Sequence, residues 1–297
     1  MYRSLLFVPA DSEKKIAKAE TVDADLVILD LEDSVAAPAR PAARRLALDA
    51  LSNSRGRRRA ALYVRINPLA TPDAPLDLAA VVPGAPDGIM LPKAASPADI
   101  ARLARELAAL ESTNGIANGA VKIIPVATEV PQALFAIGGY AGVTERLAGL
   151  TWGAEDLSAA IGATATREAT GEWTDPYRLA RALCLFAAAA AGVPAYDTVY
   201  TDFKDEKGLA AYARRARRDG FSGMMAIHPA QVAAINAAFA PDASEISEAQ
   251  AIVDLFAANP GAGTLSHDGR MVDMPHLIKA RKTLALAERA KDAPQKR

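Results

Sequence analysis

Residues 26–33 read LVILDLED: four apolar residues, then a segment that carries three carboxylates. Unbroken apolarity predicts a parallel strand covered on both faces, and the acidic end predicts that the strand emerges there at the mouth of a barrel. Seven other β-type runs end in polar or charged residues, at 4–10, 61–68, 88–94, 121–129, 149–157, 193–200 and 223–229. Helix-like stretches separate them. The alternation predicts an α/β protein with a (β/α)8 TIM barrel.

The strand repeat ends near residue 229 of a 297-residue chain. Barrels of this type take about 250 residues, so we predict a barrel domain over residues 1–230 and a helical C-terminal extension over residues 231–297. Glycines at 261 and 263 precede Asp273, which lies just before Pro275, where a helix can begin. A lid that delivers a proton-transfer group would have this pattern. The alternative is an ordinary helix on the barrel exterior, capped by Asp273.

Composition excludes several classes of protein. The net charge of −1 gives no reason to expect nucleic acid or an anionic membrane as a partner. A single cysteine, Cys184, cannot form an intramolecular disulfide and is expected to be a buried structural thiol. The first residues, MYRSLLFVPADSEKK, enter charged sequence too early for a signal peptide. We therefore expect a soluble cytoplasmic protein.

Two acids close the fifth and sixth predicted strands, Glu129 and Asp156. Neighbouring parallel strands lie about 4.8 Å apart, so carboxylates at their equivalent ends can share one cation. Mg²⁺ is usually held by one or two protein carboxylates, with water and substrate oxygens completing the octahedron. The alternative is that each acid caps a helix. The chain has no histidine cluster or cysteine pair with zinc spacing, so a hard cation is the metal this sequence suits.

An arginine lies inside the third predicted strand, Arg65 in YVRIN. A guanidinium there must be paired or must face the barrel mouth, where it can bind a carboxylate. The structural alternative is an ion pair with an acid of the neighbouring strand. Alternatively, the acids Asp30, Glu32 and Asp33 form hydrogen bonds that orient Arg65 and metal-bound water without binding the metal themselves.

Other strand ends carry weaker signals. The turn formed by Gly153, Ala154 and Glu155 could direct backbone N–H groups at a substrate carboxylate. Lys93, in LPK, could form a Schiff base, but we favour an electrostatic or structural role. His228, at the end of the eighth strand, could titrate as a base, but a hydrogen-bonded structural histidine is the favoured interpretation.

A series of motifs, in order, resembles a known family. They are RSLLFVPA, ADLVILDLEDSV, YVRIN, LPK, the glutamate ending the fifth strand, GAEDL, PAYDTVY, GF-x-G with IHPAQV, and MVDMPHLIKAR. Together they resemble the citrate lyase β-subunit-like family of the HpcH/HpaI aldolase superfamily, which includes malyl-CoA and citramalyl-CoA lyases. The resemblance covers nearly the whole chain.

The resemblance implies a Mg²⁺-dependent barrel, with Mn²⁺ as a possible substitute, that makes or breaks the carbon–carbon bond between an acyl-CoA and a 2-oxo acid. The metal carboxylates then fall on Glu129 and Asp156, and the substrate-anchoring arginine on Arg65. Asp273 becomes a catalytic residue on a lid that reaches a neighbouring subunit, usually in a homotrimer. Two positions depart from the family pattern: Ala10 replaces a glycine, and Met224 replaces a lysine that we expect near the mouth.

The expected function is therefore cleavage of a 3-hydroxyacyl-CoA thioester into acetyl-CoA and a 2-oxo acid, or the reverse reaction, which forms the thioester from them. The alternatives are a metal-dependent aldolase acting on a free 2-oxo acid, an acyl-CoA thioesterase, and a non-catalytic subunit that binds an acyl carrier. One methyl group changes binding in a pocket by only about 1–3 kcal/mol. The sequence thus does not separate glyoxylate, pyruvate and oxaloacetate.

Overall fold

The computed structural model of the chain describes residues 1–292, with side chains to residue 288. It forms two compact units, Met1–Asn236 and a second that begins at Ala237. The first unit contains eight strands: β1 Ser4–Pro9, β2 Leu26–Asp30, β3 Ala61–Arg65, β4 Gly88–Leu91, β5 Lys122–Pro125, β6 Leu150–Thr151, β7 Ala195–Asp197 and β8 Gly223–Ala226. Its main helices are α1 Glu13–Ala19, α2 Arg40–Ser54, α3 Asp73–Val81, α4 Pro97–Thr113, α5 Pro131–Ala136, α6 Glu155–Ile161, α7 Asp175–Ala190 and α8 Glu206–Asp219. The helix α9, Gln231–Phe239, continues into the second unit.

The eight strands are parallel and form a nearly closed barrel with helices outside, which confirms the predicted (β/α)8 fold. Their order is β5-β4-β3-β2-β1-β8-β7-β6. The remaining gap, between β5 and β6, is bridged by isolated contacts such as the 2.8 Å bond from Ala127 N–H to the Thr151 carbonyl. Closure leaves the carboxyl ends of all eight strands around one mouth.

Apolar side chains from seven of the eight strands fill the barrel interior. Leu26 and Ile28 of β2 belong to this cluster, whereas Val27 alternates to the other face, toward the helices. Because both faces are covered, all five residues of β2 are buried. The other members of the cluster are Leu5, Tyr63, Met90, Ile124, Val126, Tyr196 and Met225.

Each strand ends earlier than its apolar run suggested. Asp30 is the last residue of β2, and its carboxylate accepts the backbone N–H groups of Glu32 and Ser34 at 3.0 and 3.1 Å. These bonds turn the chain away from the sheet ladder. Glu129 likewise lies four residues beyond β5, and Asp156 lies in the first turn of α6. The predicted polar strand ends are therefore loop and helix-start residues at the mouth.

The second unit contains an element that the sequence analysis missed. Helices α10 (Ala243–Ala258) and α11 (Met274–Asp292) pack together, and an antiparallel hairpin joins them: β9 (Thr264–His267) and β10 (Arg270–Asp273). Its turn residues Asp268 and Gly269 both have positive φ, 48° and 74°, which is typical of a tight hairpin turn. The glycine-rich segment thus leads into a hairpin, and the extension is only partly helical. Among the described residues, no helix is long and apolar enough to cross a bilayer.

Candidate active site

Arg65 and Asp30 form a bidentate ion pair at the mouth. They are register partners on β3 and β2, and the Nε and Nη2 atoms of Arg65 each lie 2.7 Å from one oxygen of Asp30. Burial opposes the charge on Asp30, but its bonds to Arg65 outweigh that cost and hold its pKa below the usual value. The guanidinium also lies 3.1 Å from Glu32 and 4.7 Å from the Phe7 ring centroid. Arg65 is therefore rigidly oriented.

Glu129 is a buried carboxylate of the mouth, with 5% of its surface exposed. Its Oε2 accepts the Lys93 backbone N–H at 2.6 Å. Burial raises the pKa of this carboxyl group to about 8, and the nearby Glu32 and Asp156 add to the effect. A carboxylate in this setting is stabilised by a positive charge.

Gly153 makes room for Glu129. A Cβ atom at this position would lie 2.8 Å from the Glu129 Cγ and 3.0 Å from its Oε1. The Gly153 N–H is already used, because it donates to the Thr128 hydroxyl at 3.2 Å. In the predicted turn, Ala154 and Glu155 lead into α6. Gly153 contributes space for Glu129, because it has no side chain.

A cavity of about 390 Å³ brings most of the predicted site residues together. Its walls include Asp30, Asp33, Arg65, Glu129, Gly153, Ala154, Glu155 and Asp156. The remaining walls are mainly apolar: Phe7, Pro9, Ser34, Val126, Thr198, Val199, Met225 and Ile227. A concave site with a few convergent charged groups and apolar walls suits a small organic anion.

Asp273 lies in the second unit, at the end of β10. Its Oδ1 is 2.6 Å from the His276 Nδ1, and this contact lowers the pKa of the Asp273 carboxyl group. The acid therefore stays ionised at neutral pH.

The residues at the mouth fit a magnesium ion whose coordination shell is completed by water and substrate oxygens. Glu129 and Asp156 line the same cavity, and no bond within the described chain reaches Glu129 Oε1. The described residues contain no group of three or more His, Cys, Asp or Glu arranged to hold a metal. Two carboxylates beside an open cavity match Mg²⁺, which keeps several waters and binds substrate oxygens directly.

Lys93 is the residue whose importance the sequence analysis underestimated. Its ammonium lies 2.5 Å from Glu32 Oε1 and 3.1 Å from Asp156 Oδ1. Burial opposes the charge, but these acids raise the pKa of Lys93 above its usual value, so it remains an ammonium. The available signal was the position of LPK at a strand end that faces the same mouth as the acids.

Three other positions considered in the sequence, Met224, Ala10 and His228, have surroundings that indicate a structural role. Met224 is wholly buried in β8, whereas its neighbour Met225 belongs to the barrel interior and lines the cavity. Since successive strand residues face opposite sides, Met224 points toward the helices, and a lysine there would not reach the mouth through the barrel lumen. Ala10 is buried and donates its N–H to the Asp30 carbonyl. The His228 ring stacks on Phe203 and accepts the Ala230 N–H, as a structural histidine does.

The fold and site define a (β/α)8-barrel protein with acids, an arginine and a lysine around the carboxyl ends of its strands. The chain belongs to the HpcH/HpaI aldolase/citrate lyase family, whose model matches residues 3–229.

Individual relatives match over nearly their whole length. A citrate lyase subunit beta-like protein of Mycobacterium tuberculosis is 37% identical over 287 residues, covering 96% of this chain and 95% of the relative. A (3S)-malyl-CoA thioesterase of Cereibacter sphaeroides is 34% identical over 299 residues, covering 97% and 95%. The crystal structure of M. tuberculosis CitE in complex with magnesium, acetoacetate and coenzyme A superimposes with a TM-score of 0.80 at 34% identity, covering 96% and 98%.

Proposed function

We propose that this protein is a Mg²⁺-dependent carbon–carbon lyase that cleaves a 3-hydroxyacyl-CoA thioester into acetyl-CoA and a 2-oxo acid, or runs the reverse reaction. The observation that carries the proposal is that Glu129, Asp156 and Arg65 line one cavity at the barrel mouth. A related solved structure binds magnesium, acetoacetate and coenzyme A, which supports this combination of cation, oxo acid and thioester carrier.

Glu129 and Asp156 would hold the cation. When bound, Mg²⁺ supplies Lewis-acid polarisation of a substrate oxygen and charge stabilisation. Arg65, fixed by Asp30, offers positive charge to the carboxylate of the oxo acid or to the developing enolate. Backbone N–H groups of Ala154 and Glu155 are available at the start of α6 for the same carboxylate. The apolar walls would reduce the access of water to the reacting carbon.

Asp273 is the proposed proton-transfer group for the carbon that becomes the acetyl methyl. Its pKa below the usual value suits a base that is ionised at neutral pH. We propose that the unit beginning at Ala237 acts as a lid on a neighbouring protomer of a homotrimer in the cytoplasm. This sharing explains how an acid outside the barrel would take part in catalysis.

Thioester hydrolysis is the second candidate, because a relative at 34% identity is named a (3S)-malyl-CoA thioesterase. The two reactions differ in their products. The lyase yields acetyl-CoA and a 2-oxo acid without consuming water. The thioesterase consumes one water molecule and yields free coenzyme A and an intact hydroxy acid.

The test is to incubate the purified protein with malyl-, citramalyl- and citryl-CoA, with and without Mg²⁺. Lyase activity releases a 2-oxo acid, detected with phenylhydrazine, and no free thiol; hydrolysis releases thiol and no oxo acid. Release of oxo acid from free malate or citramalate, but not from the thioesters, would favour the aldolase alternative. Asp156→Asn should abolish metal-dependent turnover without changing the thermal unfolding midpoint. No turnover of any substrate, by a folded protein, would favour the non-catalytic acyl-carrier-binding subunit.

A further inference from the structure

Lys93 contacts three of the carboxylates at the mouth. It follows β4, and its ammonium reaches Glu32, at 2.5 Å, and Asp156, at 3.1 Å. Its backbone N–H meets Glu129 at 2.6 Å. One residue therefore contacts acids from three different strand ends.

The backbone of Lys93 is adapted to these contacts. Its φ of 51° places it in the left-handed region, which residues other than glycine rarely adopt. This conformation persists only where surrounding interactions enforce it, and such residues cluster at functional sites. At this position it directs the N–H to Glu129 while the side chain reaches Glu32 and Asp156.

The charge balance of the mouth gives the ammonium a specific role. Five carboxylates contact the two basic residues Arg65 and Lys93: Asp30, Glu32, Asp33, Glu129 and Asp156. Arg65 is bonded at two points to Asp30. Lys93 is the cation that contacts the two proposed metal carboxylates, Glu129 through its N–H and Asp156 through its ammonium.

We infer that Lys93 is a positioning residue that sets the metal affinity of this site: its ammonium orients Asp156 and opposes the divalent cation bound there. This inference rests on the proposed function, because it takes Glu129 and Asp156 as the metal carboxylates. A fixed ammonium that shares a carboxylate with a divalent cation repels it, and solvent in the open cavity screens this repulsion to an effective dielectric of about 80. At a separation of about 5 Å the screened repulsion weakens metal binding by roughly tenfold.

Loss of the ammonium is expected to change Mg²⁺ affinity and turnover in opposite directions. Without it, Asp156 and Glu32 repel each other and the more negative mouth attracts Mg²⁺ more strongly, but Asp156 loses its orientation. A variant lacking the ammonium should therefore bind metal more tightly and turn over more slowly. Ordinary structural damage would weaken both properties.

The experiment measures Mg²⁺ binding to metal-stripped protein by isothermal titration calorimetry, without substrate. Lys93→Met should lower the Kd for Mg²⁺ by about tenfold and reduce kcat in the thioester assay by about a hundredfold. Lys93→Arg, which keeps the charge, should have a Kd within about threefold of the wild-type value. The matched control is Lys122→Met, because Lys122 begins β5 at the opposite end of the barrel; its Kd should not change.

A Kd for Lys93→Met that is unchanged or higher, in a variant with a wild-type unfolding midpoint, would overturn the inference. If Lys93→Met does not fold, Lys93→Arg and Lys93→Gln decide the matter, since only the glutamine variant should bind more tightly. Absence of Mg²⁺ binding by the wild-type protein would overturn the proposed metal site and this inference together. Wild-type binding without tightening in the variants would overturn the inference alone.

Discussion

Asp30 and Arg65 occupy equivalent positions on neighbouring strands and meet through two bonds of 2.7 Å each. Asp30 is itself fixed, because its oxygens accept the backbone N–H groups of Glu32 and Ser34. The arginine is thus oriented by an acid that the following loop holds in place. The structural ion pair and the substrate-binding role considered for Arg65 are therefore compatible.

Arg65→Lys keeps the positive charge but cannot make both bonds to Asp30. We expect kcat/KM to fall by roughly a hundredfold, because a lysine is a point charge without the planar fork. The measurement is steady-state kinetics on the thioester identified in the screen. Arg102→Lys is the control, since Arg102 forms an exposed pair with Glu106 on α4. Near-normal kcat/KM for Arg65→Lys would show that Arg65 does not act on substrate.

Gly153→Ala should displace the Glu129 carboxylate, because the new Cβ would lie 2.8 Å from the Glu129 Cγ. We expect Mg²⁺ affinity to fall by about tenfold or more, measured by calorimetry on metal-stripped protein. The matched control is Gly138→Ala, where a Cβ meets no heavy atom within 4 Å. Equal affinities for the two variants would argue against Glu129 as a metal carboxylate.

Arg146→Met should destabilise the barrel without touching the mouth. Arg146 bonds both oxygens of the wholly buried Glu111, at 2.7 and 2.6 Å. Removing one partner of a buried pair leaves an uncompensated charge and costs about 3–5 kcal/mol. Urea denaturation at pH 7 measures the loss. Arg178→Met, which breaks an exposed pair with Asp175, should cost about 0.5 kcal/mol or less.

The same pair predicts acid sensitivity. Burial opposes the charge on Glu111, but Arg146 and the N–H groups of Val121 and Gly119 outweigh it and lower its pKa. The folded state then binds fewer protons than the unfolded state, so this contribution is present at neutral pH and is lost as pH falls below about 4.5. The difference in unfolding free energy between wild type and Arg146→Met should therefore shrink as pH falls from about 5 to about 3. A difference independent of pH would contradict this assignment.

Asp273→Ala tests the proposed lid. We expect the variant to be inactive or nearly so, and Asp156→Asn likewise. Mixing the two inactive proteins under conditions of subunit exchange should restore part of the activity, because some sites then receive both an intact barrel and an intact Asp273. Full activity of Asp273→Ala alone would exclude a catalytic role. Inactive variants without recovery in mixed oligomers would place both residues in one protomer's site.

Local pattern was sufficient to predict the barrel and to propose a candidate site at its mouth. Eight apolar runs separated by helical periodicity specify parallel strands covered on both faces, and acids at their ends lie around one mouth. The hairpin in the second unit also has a local sequence signal, Asp268-Gly269 between two short runs, but the prediction for this segment rested on the glycines at 261 and 263 as part of a lid. The side of the sheet that Met224 faces could not be predicted without the strand register, since a shift of one residue exchanges the two faces of a strand.

The chain by itself determined where the candidate site lies: an arginine in β3, acids at the end of β2 and beyond β2, β5 and β6, and a barrel that gathers them. Only the tertiary structure decided how those groups are linked. Lys93 lies 61 residues from Glu32 along the chain, yet its ammonium is 2.5 Å from that carboxylate. Strand pattern is set by neighbouring residues, whereas a contact of this kind depends on barrel closure and on a backbone angle that the surrounding loops impose.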